Sequence, residues 1–409
     1  MPAEQVARVV LALAVAVGFA VLGAHPRVMR WERRFGLTVL ATSGFPFLLL
    51  GLLFRELGVM TDQLLRDLRP LFEFGLGWVG LAVGMNLDIR RFDRLPPSLA
   101  PVMALASVLP ILSAAIACTL TLAMLGVIPG EGLIRDALIL MACAAVSAPA
   151  NLDLLLKKFR GATQLVLEVT RVDQLAALGI IGFVAIVFRP DRTVTLWHLP
   201  RSGWFMMTLG LGALLGVVLY LLVRKVEDRT EELAILMGGV ALASGMAGYL
   251  ALSVAVVCAL AGVVLINFPV RRGERIVSTL REVERPLYFL FLFIIGVSWR
   301  PDEWQGWVLG GVFAISRAYG KILAARIAVW RREDFPPWRN LAASLMPESS
   351  IAIVVLFSAT ALEAVTEGAV RWAINAVIVG SIATEIGVQW FQRRERLAIG
   401  AQAMNGDPA

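Results

Sequence analysis

Two residues of opposite charge stand where an apolar chain tolerates them least. Asp173, followed by Gln174, lies near the middle of TQLVLEVTRVDQLAALGIIGFVAIVF (163–188), and Lys321 lies within WQGWVLGGVFAISRAYGKILAARIAVW (304–330). A charged side chain at the bilayer centre costs several kcal/mol unless it is paired or hydrated, so each is a functional residue by default. Such charges face the interior of a helix bundle and find one another. A buried Asp–Lys pair can give up its bridge to a proton or a cation and then re-form it. Arg317 is one turn before Lys321 on the same helical face, and Glu348 is its natural partner in a second pair. Two static bridges bracing a bundle would need the same residues, so position has to separate the readings.

The chain that must hold these groups is a membrane chain. Of its 409 residues 58% are hydrophobic and 17% charged, and its mean hydropathy is +0.76. Soluble domains carry more charge, and repeated apolar runs of about 18 residues or more mark membrane spans. The net charge of +7 therefore belongs to loops that set orientation and not to a nucleic-acid surface. Cys118, Cys143 and Cys258 lie in apolar runs without CxxC spacing and read as small buried apolar residues. His25 and His198 fall in loops, which argues against a histidine metal site. No phosphate loop or nucleophile triad supports an enzyme, and no cofactor is expected.

Hydropathy divides the chain into about thirteen spans, the first at 5–23 and the last at 370–391. The first reads as a span and not as a removed signal peptide, and the tail after Trp390, about twenty residues, is too short to form a soluble domain. Loops after odd-numbered spans hold about two dozen Lys and Arg and those on the other side about ten, which places the N-terminus outside and the C-terminus in the cytoplasm. Two spans are interrupted: 135–157 by Ser147-Ala148-Pro149-Ala150-Asn151, and 339–362 by Met346-Pro347-Glu348-Ser349-Ser350. Proline removes an amide donor and clashes with the preceding turn, and polar neighbours serve the freed backbone groups. Each interrupted span is the middle one of three, in triplets that face opposite ways. Interrupted spans at matching positions of two inverted halves point to the binding site of a secondary transporter.

This divides the chain into N-terminal scaffold spans (1–97), a first core repeat (98–189), further scaffold spans (190–302), a second core repeat (303–391) and a short cytoplasmic tail (392–409). At about 1.5 Å per residue, Asp173, Lys321, Pro149 and Pro347 with Glu348 fall near one plane. Glu385 is also intramembrane but has no evident partner. Glu168 with Arg171 and Asp153 with Lys157 read as local pairs. Gly80xxxGly84 and Gly212xxxGly216 read as faces for close helix contact.

Four stretches resemble the monovalent cation/proton antiporter superfamily, most nearly its thirteen-span bacterial sodium/proton and potassium/proton branch. FGLGWVGLAVGMNLDIRRF (74–92) resembles the second core helix, and AVSAPANLDLLLKKF (145–159) the broken fourth. VTRVDQLAALGI (169–180) resembles the segment with the paired polar motif. YFLFLFIIGVSW (288–299) with RAYGKILAARIAVW (317–330) resembles the ninth and tenth core helices. The resemblance implies an all-α polytopic fold with inverted repeats, a homodimer built through the scaffold spans, and a bacterial inner-membrane location. It implies that Asp173 occupies the first position of the polar motif and binds Na⁺ or K⁺, paired with Lys321. Gln174 then stands where the family carries its second acid, which is the main ion and proton carrier. Gln174 cannot titrate, so Glu348 has taken over that role or Asp173 serves for both ion and proton.

Elevator-type exchange of Na⁺ or K⁺ for protons is therefore the leading expectation. The site would comprise Asp173, Gln174, Lys321, Glu348, Ser147 and Asn151, with Arg317 and Glu385 as accessory charges. Two other classes remain open: a sodium-coupled organic-anion symporter, in which Arg317 and the half-helix N-termini receive the anion, and a non-transporting sensor or scaffold.

Overall fold

The computed structural model describes residues 45–60, 62–92, 99–148, 160–189, 199–269, 273–330, 337–348, 350–360, 372–384 and 386–388, with positions 14, 18 and 390 singly. The expected first span at 5–23, apart from Ala14 and Gly18, and the tail after 391 lie outside the described residues. Among the described residues every regular element is a helix. In chain order the principal ones are α1 (Phe45–Glu56), α2 (Arg69–Met85), α3 (Ala100–Met124), α4 (Glu131–Ala145), α5 (Arg160–Val187), α6 (Arg201–Val223), α7 (Arg229–Tyr249), α8 (Val254–Asn267), α9 (Gly273–Ser298), α10 (Trp304–Trp330), α11 (Trp338–Leu345) and α12 (Ser350–Thr360). A further apolar helix, α13, covers Trp372–Val388. α3, α5, α6, α7 and α10 are long and apolar enough to cross a membrane.

Local sequence explains where several of these begin and end. Pro70 and Pro101 sit in the first turns of α2 and α3, where the missing amide has no helical acceptor to lose. Asp228 caps α7 by accepting the Thr230 amide at 3.3 Å. α9 starts at Gly273, well ahead of the apolar stretch YFLFLFIIGVSW (288–299) that it carries. Its first turns are charged on one side, but Ile276 and Leu280 are buried. The Trp78 indole also donates to the Leu280 carbonyl at 3.1 Å, so this half of α9 is an amphipathic helix docked on α2.

On α3 the exposed residues Val108, Leu112, Ile116 and Leu120 recur every fourth position, opposite the buried Ala106, Ala114, Cys118 and Leu122. An exposed stripe that is itself apolar suits lipid tails and not water. The helices pack in two sets. In one, α8 lies between α2 and α6, with α7 on α2 and α9 on α1; in the other, α3 packs on α10 and α4 lies against α3, α5 and α12. Contacts of α9 with α12, and of α5 with α8, join the two sets.

Glycines set the closest approaches. A Cβ on Gly80 would stand 2.3 Å from the Ala255 carbonyl oxygen, and one on Gly84 only 1.9 Å from that of Ala259. α2 and α8 thus touch backbone to backbone. Gly212 and Gly216 play the same part between α6 and α8. Gly84→Ala should separate α2 from α8 and cost about 1–3 kcal/mol by overpacking. The check is a thermal melt beside Gly179→Ala, whose Cβ would have no neighbour within 4 Å; equal melting of the two variants would refute the contact.

Candidate functional site

The site is assembled from two chain breaks and one long helix between them. α4 ends at Ala145, where Val146 turns extended (φ −68°, ψ 130°), and Val146 and Ser147 are fully buried. Pro149 two residues on disfavours the helical conformation at Ala148, which explains why α4 cannot run through. α11 ends at Leu345, and Pro347 lacks the amide that would continue its ladder. The two breaks meet, for the Ala148 amide donates to the Pro347 carbonyl at 2.8 Å.

Arg317 of α10 is fully buried beneath this crossing. Its Nε donates to the Ala144 carbonyl at 3.3 Å, its Nη2 to Val146 at 2.6 Å and its Nη1 to Met346 at 2.6 Å. These carbonyls belong to the C-terminal ends of α4 and α11. Each such end carries about half a negative charge, so one guanidinium answers two helix ends, and its planar fan of donors suits the task. Nη1 also stands 3.8 Å from Glu348 Oε1. Glu348 Oε2 accepts from the Ser381 hydroxyl of α13, while Oε1 has no hydrogen-bond partner among the described residues. Glu348 and Ser381 line a cavity of about 140 Å³ whose other walls, among them Leu48, Leu292, Ile353 and Val377, are largely apolar.

One turn further along α10, Lys321 Nζ donates to Asp173 Oδ2 of α5 at 2.7 Å, and both side chains are fully buried. The Ser147 hydroxyl donates to the same carboxylate oxygen. Asp173 Oδ1 is buried and, among the described residues, has no hydrogen-bond partner. Lys321 also reaches the Ala106 carbonyl of α3 at 3.4 Å. The close pass of α10 over α3 depends on Gly320, since a Cβ there would lie 2.5 Å from Pro110 Cα.

Of the residues singled out from sequence, the structure therefore brings Ser147, Asp173 and Lys321 into one cluster, and Arg317 and Glu348 into a second joined to it by the helix crossing. Gln174 is half-buried on α5. Pro149, Asn151 and Glu385 lie outside the described residues. Glu168 and Arg171 form the local pair their spacing suggests.

Sequence reasoning passed over Ser381, the Ala106 carbonyl and a buried pair in α4, where Arg135 Nη2 stands 2.6 Å from Asp136 Oδ1. The proline within α3 was a readable signal for Ala106, because it frees the carbonyl four residues before it. Nothing local points to Ser381, which reaches Glu348 from α13, a helix that Gly306 and Gly310 let pack closely against α10.

Neither a protein-family model nor a curated protein matches this sequence. Solved structures do match. The sodium proton antiporter MjNhaP1 from Methanocaldococcus jannaschii superposes with a TM-score of 0.63 over 91% of this chain and 98% of its own, at 13% identity. The chain has that fold.

Proposed function

Proceeding from the shared fold, we propose that the chain is an integral membrane transporter that exchanges Na⁺ or K⁺ for protons by elevator-type alternating access. The observation that carries the reading is Asp173. Its carboxylate is buried beside the meeting of two helix breaks, is held by Lys321 and Ser147, and keeps one oxygen without a partner among the described residues. A structural brace gains nothing from a carboxylate oxygen left without a donor, whereas an ion site needs one.

In this mechanism a cation entering at the crossing takes the free oxygen of Asp173, backbone carbonyls of the 147–151 break and the Gln174 amide oxygen as ligands. Lys321 is displaced from the carboxylate as the cation arrives and returns when it leaves. Asn151 completes the ligand set on sequence grounds. Glu348 supplies the second acid that Gln174 lacks, and Arg317 holds the two half-helices together throughout. Three of Arg317's donors are committed to backbone carbonyls, which leaves it poorly placed to receive an organic anion.

The moving core comprises 98–189 and 303–391 as inverted repeats within a thirteen-span chain, and 1–97 with 190–302 form the scaffold and the homodimer contact. The packing of α3, α4, α5, α10 and α12 on one another supports this division. The N-terminus lies outside a bacterial inner membrane and the C-terminus inside.

Purified protein in proteoliposomes tests the reading. Addition of Na⁺ or K⁺ should collapse an imposed ΔpH, and failure with both ions would refute it. In the same assay Gln174→Asp places a titratable group beside Asp173 and should raise the initial rate roughly tenfold, about 1.4 kcal/mol in barrier. An unchanged rate would put Gln174 off the ion path.

A further inference from the structure

The exchange just proposed leaves an ammonium without its carboxylate each time a cation binds. Lys321 is fully buried, and an unpaired buried charge costs several kcal/mol. Unless something else receives it, the Asp173–Lys321 bridge would be too stable for a monovalent cation to open.

α3 contains an acceptor already in place. Pro110 lies inside this helix and has no amide hydrogen, so the carbonyl of Ala106, four residues earlier, has no partner in the helical ladder. That carbonyl is the one Lys321 Nζ reaches at 3.4 Å. Gly320 lets α10 come this close, because a Cβ there would stand 2.5 Å from Pro110 Cα and 2.7 Å from Pro110 N. Sequence thus places the proline, the freed carbonyl, the permissive glycine and the lysine in register across two helices.

We propose that Pro110 is a positioning residue for the exchange: it keeps the Ala106 carbonyl open as a second berth, where the Lys321 ammonium stays while Asp173 holds a cation. This rests on the proposed exchange for its purpose, but the berth itself can be tested without transport.

A double-mutant cycle compares the thermal melts of the wild type, Pro110→Ala, Asp173→Ala and the double variant. In the wild-type background Asp173→Ala leaves Lys321 on the Ala106 carbonyl. In the Pro110→Ala background the restored amide at position 110 takes that carbonyl, and the ammonium has neither partner. Asp173→Ala should then lower the melting temperature by at least about 3 °C more than it does alone. Additive shifts would overturn the proposal. Pro110→Gly, which restores the amide with no side chain facing Gly320, gives the same answer should Pro110→Ala fail to fold.

In proteoliposomes Pro110→Ala should raise the KM for the cation about tenfold at unchanged kcat, and a loss of kcat at unchanged KM would speak for a merely structural proline. Should the wild type exchange no cation at all, the proposed function fails while the cycle still decides whether the berth exists.

Discussion

Asp173→Asn should abolish cation-dependent collapse of ΔpH, with the initial rate falling at least about a hundredfold. The substitution keeps the size of the side chain and an oxygen that Ser147 and Lys321 can still reach, so the bundle should assemble. What it removes is the negative charge. That charge is the cation's strongest ligand, and it also balances a fully buried Lys321. A charge-assisted contact to the cation is worth roughly 1.5–3 kcal/mol, and each step of about 1.4 kcal/mol is tenfold in affinity, so losing it together with the titratable group accounts for a hundredfold fall. The measurement is ΔpH collapse in proteoliposomes, with elution as a single species confirming the fold. Wild-type exchange by this variant would sink the mechanism.

The largest effect on stability is expected at Arg317. Arg317→Met fills a similar volume but leaves the carbonyls of Ala144, Val146 and Met346 without their donor and Glu348 Oε1 without the cation 3.8 Å from it. An uncompensated buried charge costs roughly 3–5 kcal/mol, and the unsatisfied carbonyls add to that. In a thermal melt this should appear as a fall of about 10 °C. Arg317→Lys should recover little of it. A lysine presents one point charge on a flexible stem, and it cannot donate to three carbonyls from two helix ends at once. A full rescue by lysine would show that charge alone, and not the fan of donors, holds the crossing.

The sequence by itself determined the class of the molecule and the ranking of its charges. A chain this apolar has to place its few buried ions against one another, so Asp173 with Lys321, and Arg317 with Glu348, were readable from span depth and from the four-residue spacing in α10. The two interruptions were readable too, because proline acts on its own backbone wherever it sits. The helix-contact glycines were visible only as a weak pattern. Their partners Ala255, Ala259 and Ala261 became known once α8 was seen between α2 and α6.

Tertiary structure alone decided how the pieces meet. Spacing along α10 could pair Arg317 with an acid, but it could not show that most of its donors close the ends of two half-helices far apart in sequence. Their nearness comes from the packing of α4, α10 and α11. The same holds for Ser147 on Asp173 and Ser381 on Glu348, hydroxyls common enough in a membrane chain to carry no signal until a fold brings one within reach. The reason is physical: burial makes a charge costly wherever it sits, and that is written in one dimension. The group that offsets the cost is supplied by whichever helix lies alongside. For Asp173 that means Lys321 and Ser147, and only the arrangement of α4, α5 and α10 shows that, among the described residues, one of its oxygens is without a partner.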